Sequence, residues 1–302
     1  MKTVIVTGAN SGLGLWTSKY LLDLDYKVIM ACRNIAKAQN AIERFPEFNK
    51  EKNYVIKALD LGDFDSIKSF VQEIVKTENI WGLDCNAGLS YTGAFQYTAN
   101  GIEETFGTNY LGHFLLTNLL IEASKVERIV FISSGLHDPK NKSPFAPAVF
   151  REINELAYPK VRPDSTLKKQ CEGFYATSKL CMLLFAYELD RRLKYKSSSH
   201  KTFVNAINPG LMLTTNLGRT HALGETLYRC SLDFIFKIIG LSDNPKRSAR
   251  DVVKLIDDVS TSGQYYDKGK PIQSSNDSYD KQKARRLWEG SEAMVGSNFL
   301  SL

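Results

Sequence analysis

Residues 7 to 14 read Thr7-Gly8-Ala9-Asn10-Ser11-Gly12-Leu13-Gly14, set between an apolar β-type run (Val4, Ile5, Val6) and a helical pattern (Leu15, Tyr20, Leu21, Leu22). That order describes a strand, a tight glycine turn and a helix N-terminus. The three glycines remove the Cβ atoms that would keep the backbone from a pyrophosphate, whose charge the first-turn N–H groups and the helix dipole stabilise. A glycine-rich string alone also fits an ordinary βα turn. Directly after the first strand of the chain, it predicts a dinucleotide site.

The 302 residues contain no linker rich in Pro, Gly or Ser and no internal repeat, so a single α/β domain over 1–302 is expected. With 43% hydrophobic and 24% charged residues the composition is that of a globular protein with a full core. The net charge of +6 comes from lysines spread along the chain, without a basic block or an aromatic-interleaved basic stripe, which argues against nucleic acid as a partner. Cys32, Cys85, Cys171, Cys181 and Cys230 form no CxxC pair, and reduced thiols are expected. The first strand begins near Thr3, which leaves no room for a leader peptide, and Leu232 to Leu241 is broken by Asp233 and Lys237. A cytoplasmic protein without a transmembrane segment is the expectation.

Short β-branched runs alternate with amphipathic helical patterns, the signature of right-handed βαβ units and a parallel sheet. Strands are expected near 3–7, 27–32, 54–58, 80–85, 127–133, 202–207 and 264–266, and helices near 12–24, 34–44, 64–77, 100–124, 173–196, 246–258 and 280–293. Seven parallel strands with helices on both faces make one doubly wound Rossmann domain. Residues 136–172, rich in proline, and residues 211–245 break this rhythm. Both leave carboxyl ends of strands, the edge where ligands of such sheets bind, and are expected to wall a substrate pocket. The apolar pattern of 211–245, including Leu223, Leu227 and Phe236, fits a flap over the substrate; a dimer patch or a membrane-surface patch is the alternative.

Beyond the glycine loop the chain carries, in order, Asp60-Leu61, Cys85-Asn86-Ala87-Gly88, Asn109, Ser133-Ser134, Tyr175-Ala-Thr-Ser-Lys179 and Asn208-Pro209-Gly210. Taken together these resemble the short-chain dehydrogenase/reductase family over almost its whole length. Three Tyr-x-x-x-Lys pairs occur, at Tyr175/Lys179, Tyr266/Lys270 and Tyr279/Lys283, and only context separates them. Tyr266 leads into Gly269 and Pro271, which is loop chemistry, and Tyr279 opens an exposed, basic terminal helix. Tyr175 opens a long helix between the fifth and sixth strands, where i, i+4 spacing puts phenol and ammonium on one face. A free tyrosine has a pKa near 10, so acid/base work near neutrality asks for a shift that Lys179 and an oxidised nicotinamide would both favour.

The resemblance implies Tyr175 as proton donor to a carbonyl and Lys179 as its pKa-lowering neighbour. It further implies Ser134 as partner of the substrate oxygen and Asn109 as the residue that holds a water against Lys179. Ser134 and Asn109 also fit helix or turn caps, and His113 reads as a packed core histidine. Cofactor contacts are implied at Gly8, Asn10, Ser11, Gly12, Leu13, Gly14, Arg33, Asp60, Leu61, Asn86, Ala87, Gly88, Tyr175, Lys179, Pro209, Gly210 and Thr214, and no metal is called for. At the end of the second strand Cys32 stands where an NAD-selecting acid would be. Arg33 beside it could grip a 2′-phosphate, with Asn10 or Lys37 as helpers, so NADP(H) is the expected cofactor. One departure is the fourth strand, Ile80-Trp81-Gly82-Leu83-Asp84-Cys85, where the family has an unbroken apolar run ending in a first asparagine. Asp84 is expected to find a hydrogen-bond partner close to the cofactor.

The pieces Met30-Ala31-Cys32-Arg33, Gly107-Thr108-Asn109-Tyr110-Leu111-Gly112-His113-Phe114 and Ser178-Lys179-Leu180-Cys181 look like the branch of light-dependent protochlorophyllide oxidoreductases and retinol dehydrogenases. The cysteine that the protochlorophyllide enzymes carry just after their Pro-Gly is Leu211 here. The expectation is therefore hydride transfer between NADPH and a carbonyl or alcohol of an apolar small molecule. Protochlorophyllide double-bond reduction is one alternative, and a non-catalytic nucleotide sensor or scaffold is another.

Overall fold

The computed structural model describes residues 1–48, 53–91, 94–141, 143, 145–196, 201–211 and 243–300. Its strands form one sheet in the order β3-β2-β1-β4-β5-β6-β7-β8, with β1 Thr3–Thr7, β2 Lys27–Cys32, β3 Tyr54–Ala58, β4 Ile80–Cys85, β5 Arg128–Ile132, β6 Phe203–Asn208, β7 Gln264–Asp267 and β8 Lys270–Ile272. The chain switches sides between β1 and β4, which opens a crevice at the carboxyl ends of those strands. Every residue of β1 and β4 is buried, as expected of central parallel strands covered on both faces.

The sheet has eight strands where seven were expected, and the eighth is antiparallel to β7. Lys268 and Gly269 both hold positive φ (49° and 78°), the conformation that folds a two-residue turn into a hairpin. The Gly-Pro signal read as loop is this turn followed by a short edge strand, where Pro271 is tolerated.

The helices are α1 Gly12–Asp23, α2 Ile35–Glu43, α3 Phe64–Ile74, α4 Glu104–Phe106, α5 Gly112–Ala123, α6 Ile153–Ala157, α7 Leu167–Lys196, α8 Pro245–Asp257 and α9 Lys281–Val295. The helix expected over 100–124 is interrupted by a π turn at Gly107–Leu111, a device that concentrates at functional sites. One apolar layer places Val4, Val6, Met30 and Val130 beneath α1 and α8. The other gathers Ile5, Leu83, Phe114, Phe131 and Phe185 against α5 and α7. The terminal helix α9 is not merely an exposed basic rod. It buries Leu287 and Trp288, whose indole meets Phe114 edge-on at 5.1 Å, and Ser291 bonds Tyr110 Oη at 2.7 Å.

The first excursion ends earlier than expected, because α7 starts at Leu167. It is pinned to α7 by the Val149 amide on Thr177 Oγ1 (3.0 Å) and by Gln170, which bonds the main chain of Arg162 twice at 2.9 Å. The second excursion is closed at its neck, where Leu211 and Asp243 exchange bonds of 3.1 and 2.7 Å. Residues 212–242, with Thr214, Leu223, Leu227, Cys230 and Phe236, lie outside the described residues.

Candidate active site

The β1–α1 turn is built by close approach. A Cβ on Gly14 would stand 2.5 Å from Asn86 Nδ2 and 2.8 Å from the Gly8 carbonyl oxygen, and one on Gly8 (φ 64°) would meet the Ala87 Cα at 3.0 Å. These two glycines therefore let the loop close on the end of β4, beyond any space they leave for a ligand. Thr7 is the hub of that contact. Its Oγ1 accepts from the Asn86 and Ala87 amides at 2.9 Å each, and Asn86 Nδ2 donates to the Thr7 carbonyl at 2.7 Å. The first turn of α1 carries no acidic residue, and Ser11 at its N-cap makes no side-chain cap bond. The turn thus offers unpaired donors to an anion at the crevice, and the sequence-read residues Gly8 to Gly14 are brought together there.

Asp60 and Leu61 are placed by local structure. The Asp60 carboxylate accepts from Gly62 N at 2.9 Å and its amide donates to Ser66 Oγ at 3.0 Å, while Leu61 is buried against Gly112. Arg33 follows β2 with its side chain half exposed, 3.4 Å from Glu104 Oε1. Glu104 in turn accepts from Tyr91 Oη at 2.7 Å. Nothing in the sequence signals this acid, because only the topology carries the start of α4 to the end of β2. Gly210 (φ 94°) follows Pro209, whose carbonyl accepts from Ser248 Oγ at 2.6 Å.

Tyr175, Lys179, Ser134 and Asn109 converge at the carboxyl ends of β4 and β5. Tyr175 and Lys179 share one face of α7, and Lys179 Nζ lies 5.7 Å from the Tyr175 ring centre. It donates to the Ile132 carbonyl at 2.9 Å. Burial pushes the Tyr175 phenol up to about 12, opposed only by a hydrogen bond with Ser134, and drives Lys179 down to about 8. The lowering of Tyr175 expected from Lys179 does not appear: desolvation sets the direction, and Ser134 is the group that opposes it. A Cβ on Gly88 would lie 3.4 Å from Asn109 Oδ1 and 3.5 Å from Lys179 Nζ, so the Asn86-Ala87-Gly88 segment closes over the same group.

Ser134 is also a turn cap, accepting from the Leu136 amide at 3.3 Å, which leaves its hydroxyl proton to donate. The Asn109 side chain is committed to structure: it exchanges bonds of 2.8 and 2.9 Å with the Leu89 main chain and donates to Ser178 Oγ at 3.1 Å. The other two Tyr-x-x-x-Lys pairs are structural. Tyr266 lies buried in β7, bonded to Thr261, and Tyr279 stacks on Tyr187 at 5.0 Å.

His113 is a packed core residue as expected, and both ring nitrogens have partners: Asn109 O at 2.9 Å and Thr7 Oγ1 at 3.0 Å. The expectation for Asp84 needs correction, because neither of its carboxylate oxygens has a hydrogen-bond partner among the described residues. Its register neighbours are Val6 and Val130, in the apolar layer under α1 and α8. Burial holds its carboxyl well above the usual carboxylate range, which favours the neutral acid. Among the described residues no His, Cys, Asp or Glu cluster is arranged for a metal, and no helix is long and apolar enough to cross a membrane.

A glycine turn at the switch point beside half-buried Ser134 and Tyr175 and the buried Lys179 defines a nucleotide-binding fold of the doubly wound class. Comparison with known proteins narrows the class. The sequence pattern described as short chain dehydrogenase matches residues 2–144. The chain is 34% identical to retinol dehydrogenase 14 of Mus musculus over 98% of its own length and 86% of that protein, and 33% identical to the chloroplastic protochlorophyllide reductase of Daucus carota over 97% and 78%. Among solved structures it is similar to an uncharacterised Mycobacterium paratuberculosis protein (TM-score 0.75, 26% identity, 99% and 95% covered). It shares its fold with an NADPH-bound carbonyl reductase from chicken fatty liver (TM-score 0.62, 20% identity, 91% and 99% covered). The chain belongs to the short-chain dehydrogenase/reductase family, oxidoreductases that work with a nicotinamide cofactor.

Proposed function

We propose that the chain reduces a carbonyl on an apolar small molecule with NADPH, or runs the reverse oxidation, in the cytoplasm. The observation that carries this reading is the half-buried phenol of Tyr175, whose protonated form is favoured by desolvation, standing beside Ser134 with an ammonium 5.7 Å from its ring. The open first turn of α1 and the clean glycine loop fit a pyrophosphate, and Arg33 fits a 2′-phosphate. The names of the relatives, a retinol dehydrogenase and a protochlorophyllide reductase, support a large apolar substrate. Among the described residues four buried cysteines stand outside any disulfide, which supports a reducing compartment.

A bound nicotinamide would supply the hydride to the carbonyl carbon. Ser134 Oγ donates a hydrogen bond to the substrate oxygen and fixes its direction toward Tyr175. As negative charge builds on that oxygen, Tyr175 Oη releases its proton to it, and the tyrosinate left behind is stabilised by the Lys179 ammonium. The reading is tested by following the oxidation of NADPH and of NADH by the purified protein against a panel of retinoid, aromatic and aliphatic carbonyls. Turnover with NADPH favoured is expected. No turnover with any carbonyl, together with NADPH-driven reduction of protochlorophyllide, would replace this reading.

A further inference from the structure

Two histidines stand behind the candidate catalytic residues in the same way. His113 Nδ1 faces the Asn109 main-chain carbonyl at 2.9 Å, and His137 Nδ1 faces the Ser134 main-chain carbonyl at 2.7 Å. A carbonyl only accepts, so each Nδ1 carries a proton. His137 Nε2 accepts from the Ser275 amide at 3.1 Å, and an amide only donates, so that nitrogen holds a lone pair. His137 is therefore a neutral imidazole of defined tautomer.

His113 takes the same neutral form for a different reason. Burial, with the Lys179 ammonium nearby, lowers it to about 4, so it is neutral near pH 7 and its Nε2 is an acceptor. The Thr7 hydroxyl has two acceptors in reach, this nitrogen at 3.0 Å and the Asp84 main-chain carbonyl at 3.1 Å, and its one proton is shared between them. Thr7 Oγ1 meanwhile accepts from the Asn86 and Ala87 amides, so its hydrogen-bonding capacity is filled. One imidazole thus joins the glycine-loop hub to the carbonyl of Asn109. The other joins the C-terminal loop at Ser275 to the carbonyl of Ser134. Both rings are 2% exposed or less.

We propose that His113 and His137 are positioning residues of the oxidoreductase site: each, as an Nδ1–H imidazole, clamps the main-chain carbonyl of one candidate catalytic residue and ties it to a second loop through Nε2. The His137 clamp fixes the Gly135–His137 turn and with it the Ser134 hydroxyl that meets Tyr175. The His113 clamp fixes the π turn that carries Asn109, whose side chain and the Lys179 ammonium both border Gly88. The proposal rests on the carbonyl-reductase reading, so its test includes a readout that needs no turnover.

The first measurement is NMR of histidine-labelled protein near pH 7, with His113→Asn and His137→Asn used for assignment. Two ring systems with the proton on Nδ1, the minor tautomer of free histidine, are expected. Either ring protonated at Nε2 would overturn the clamp it belongs to. The second measurement compares Asn and Gln at each position. The Asn amide reaches as far as Nδ1 and retains the carbonyl bond, whereas Gln reaches only the Nε2 partner. With a carbonyl substrate the Asn variants should retain kcat within about threefold, while the Gln variants lose roughly 10- to 100-fold, as small misplacements at a reacting centre do. NADPH affinity should change little in any of them. Equal kcat for Asn and Gln at both positions would reduce the histidines to packing residues. Absence of wild-type turnover with Nδ1–H tautomers present would instead count against the functional reading.

Discussion

Lys179 Nζ lies 5.7 Å from the centre of the Tyr175 ring, and desolvation moves the two groups in opposite directions, the ammonium down to about 8 and the phenol up to about 12. The acid form of tyrosine is thereby kept available for carbonyl reduction, and the cation needed to stabilise its conjugate base is the one that titrates first. The reductive kcat should fall as pH rises through about 8, when Lys179 loses its proton. Lys179→Met should lower kcat by about 10²-fold or more at neutral pH. A pH profile level to about 10, the ordinary range of a free lysine, would show that the Lys179 charge is not used.

Arg33 and Glu104 make a second testable pair. If Arg33 holds a 2′-phosphate, Arg33→Ala should weaken NADPH by about 1.5 to 3 kcal/mol, the worth of a charged hydrogen bond, and leave NADH unchanged. Glu104→Gln removes the competing carboxylate at 3.4 Å and should tighten NADPH. Fluorescence titration of both cofactors measures both effects, and an unaltered NADPH/NADH ratio in Arg33→Ala would move the discrimination elsewhere.

Most of the sheet was legible because its strands announce themselves by composition: Val4-Ile5-Val6 and Val28-Ile29-Met30 are apolar on both faces, and the strands are bounded by glycine or polar turns. The site residues were legible for a related reason, since Tyr175 and Lys179 are one helical turn apart and Ser134 and Asn86 sit at strand ends. What sequence could not give is what only three-dimensional proximity creates. Glu104 meets Arg33 through the strand order, and His137 meets Ser275 across 138 positions. The π turn at Gly107–Leu111 was hidden because its residues keep a helical apolar pattern.

Asp84 is the clearest local conflict between residue and environment. A buried carboxyl without a partner costs stability that an apolar side chain of similar size does not. Asp84→Val, facing Val6 and Val130, should raise the unfolding free energy by about 1 to 3 kcal/mol in urea denaturation. A loss of stability would mean that the carboxyl is satisfied by a group outside the described residues.

His113 gives the protein an acid-sensitive contribution of known sign. Its folded pKa of about 4 lies below the value near 6.5 of the free side chain, so the unfolded chain binds the extra proton between these limits. Stability from this group is full above about 6.5 and falls with pH toward 4, by about 3 kcal/mol in total. Glu103, raised to about 7 by burial, works in the opposite direction over nearly the same window. The wild-type curve therefore conceals both. The difference in denaturation midpoint between wild type and His113→Asn should shrink steadily below pH 6.5, and a constant difference would show that the imidazole does not titrate on unfolding.

The most direct test of the site is Tyr175→Phe set beside Tyr266→Phe and Tyr279→Phe, with turnover of a carbonyl substrate and NADPH affinity measured for each. The account predicts that Tyr175→Phe folds, binds NADPH as wild type does and loses about 10² to 10⁴ in kcat, the contribution of a general acid, while the other two variants stay active. Retained turnover in Tyr175→Phe, with loss in either of the others, would contradict it.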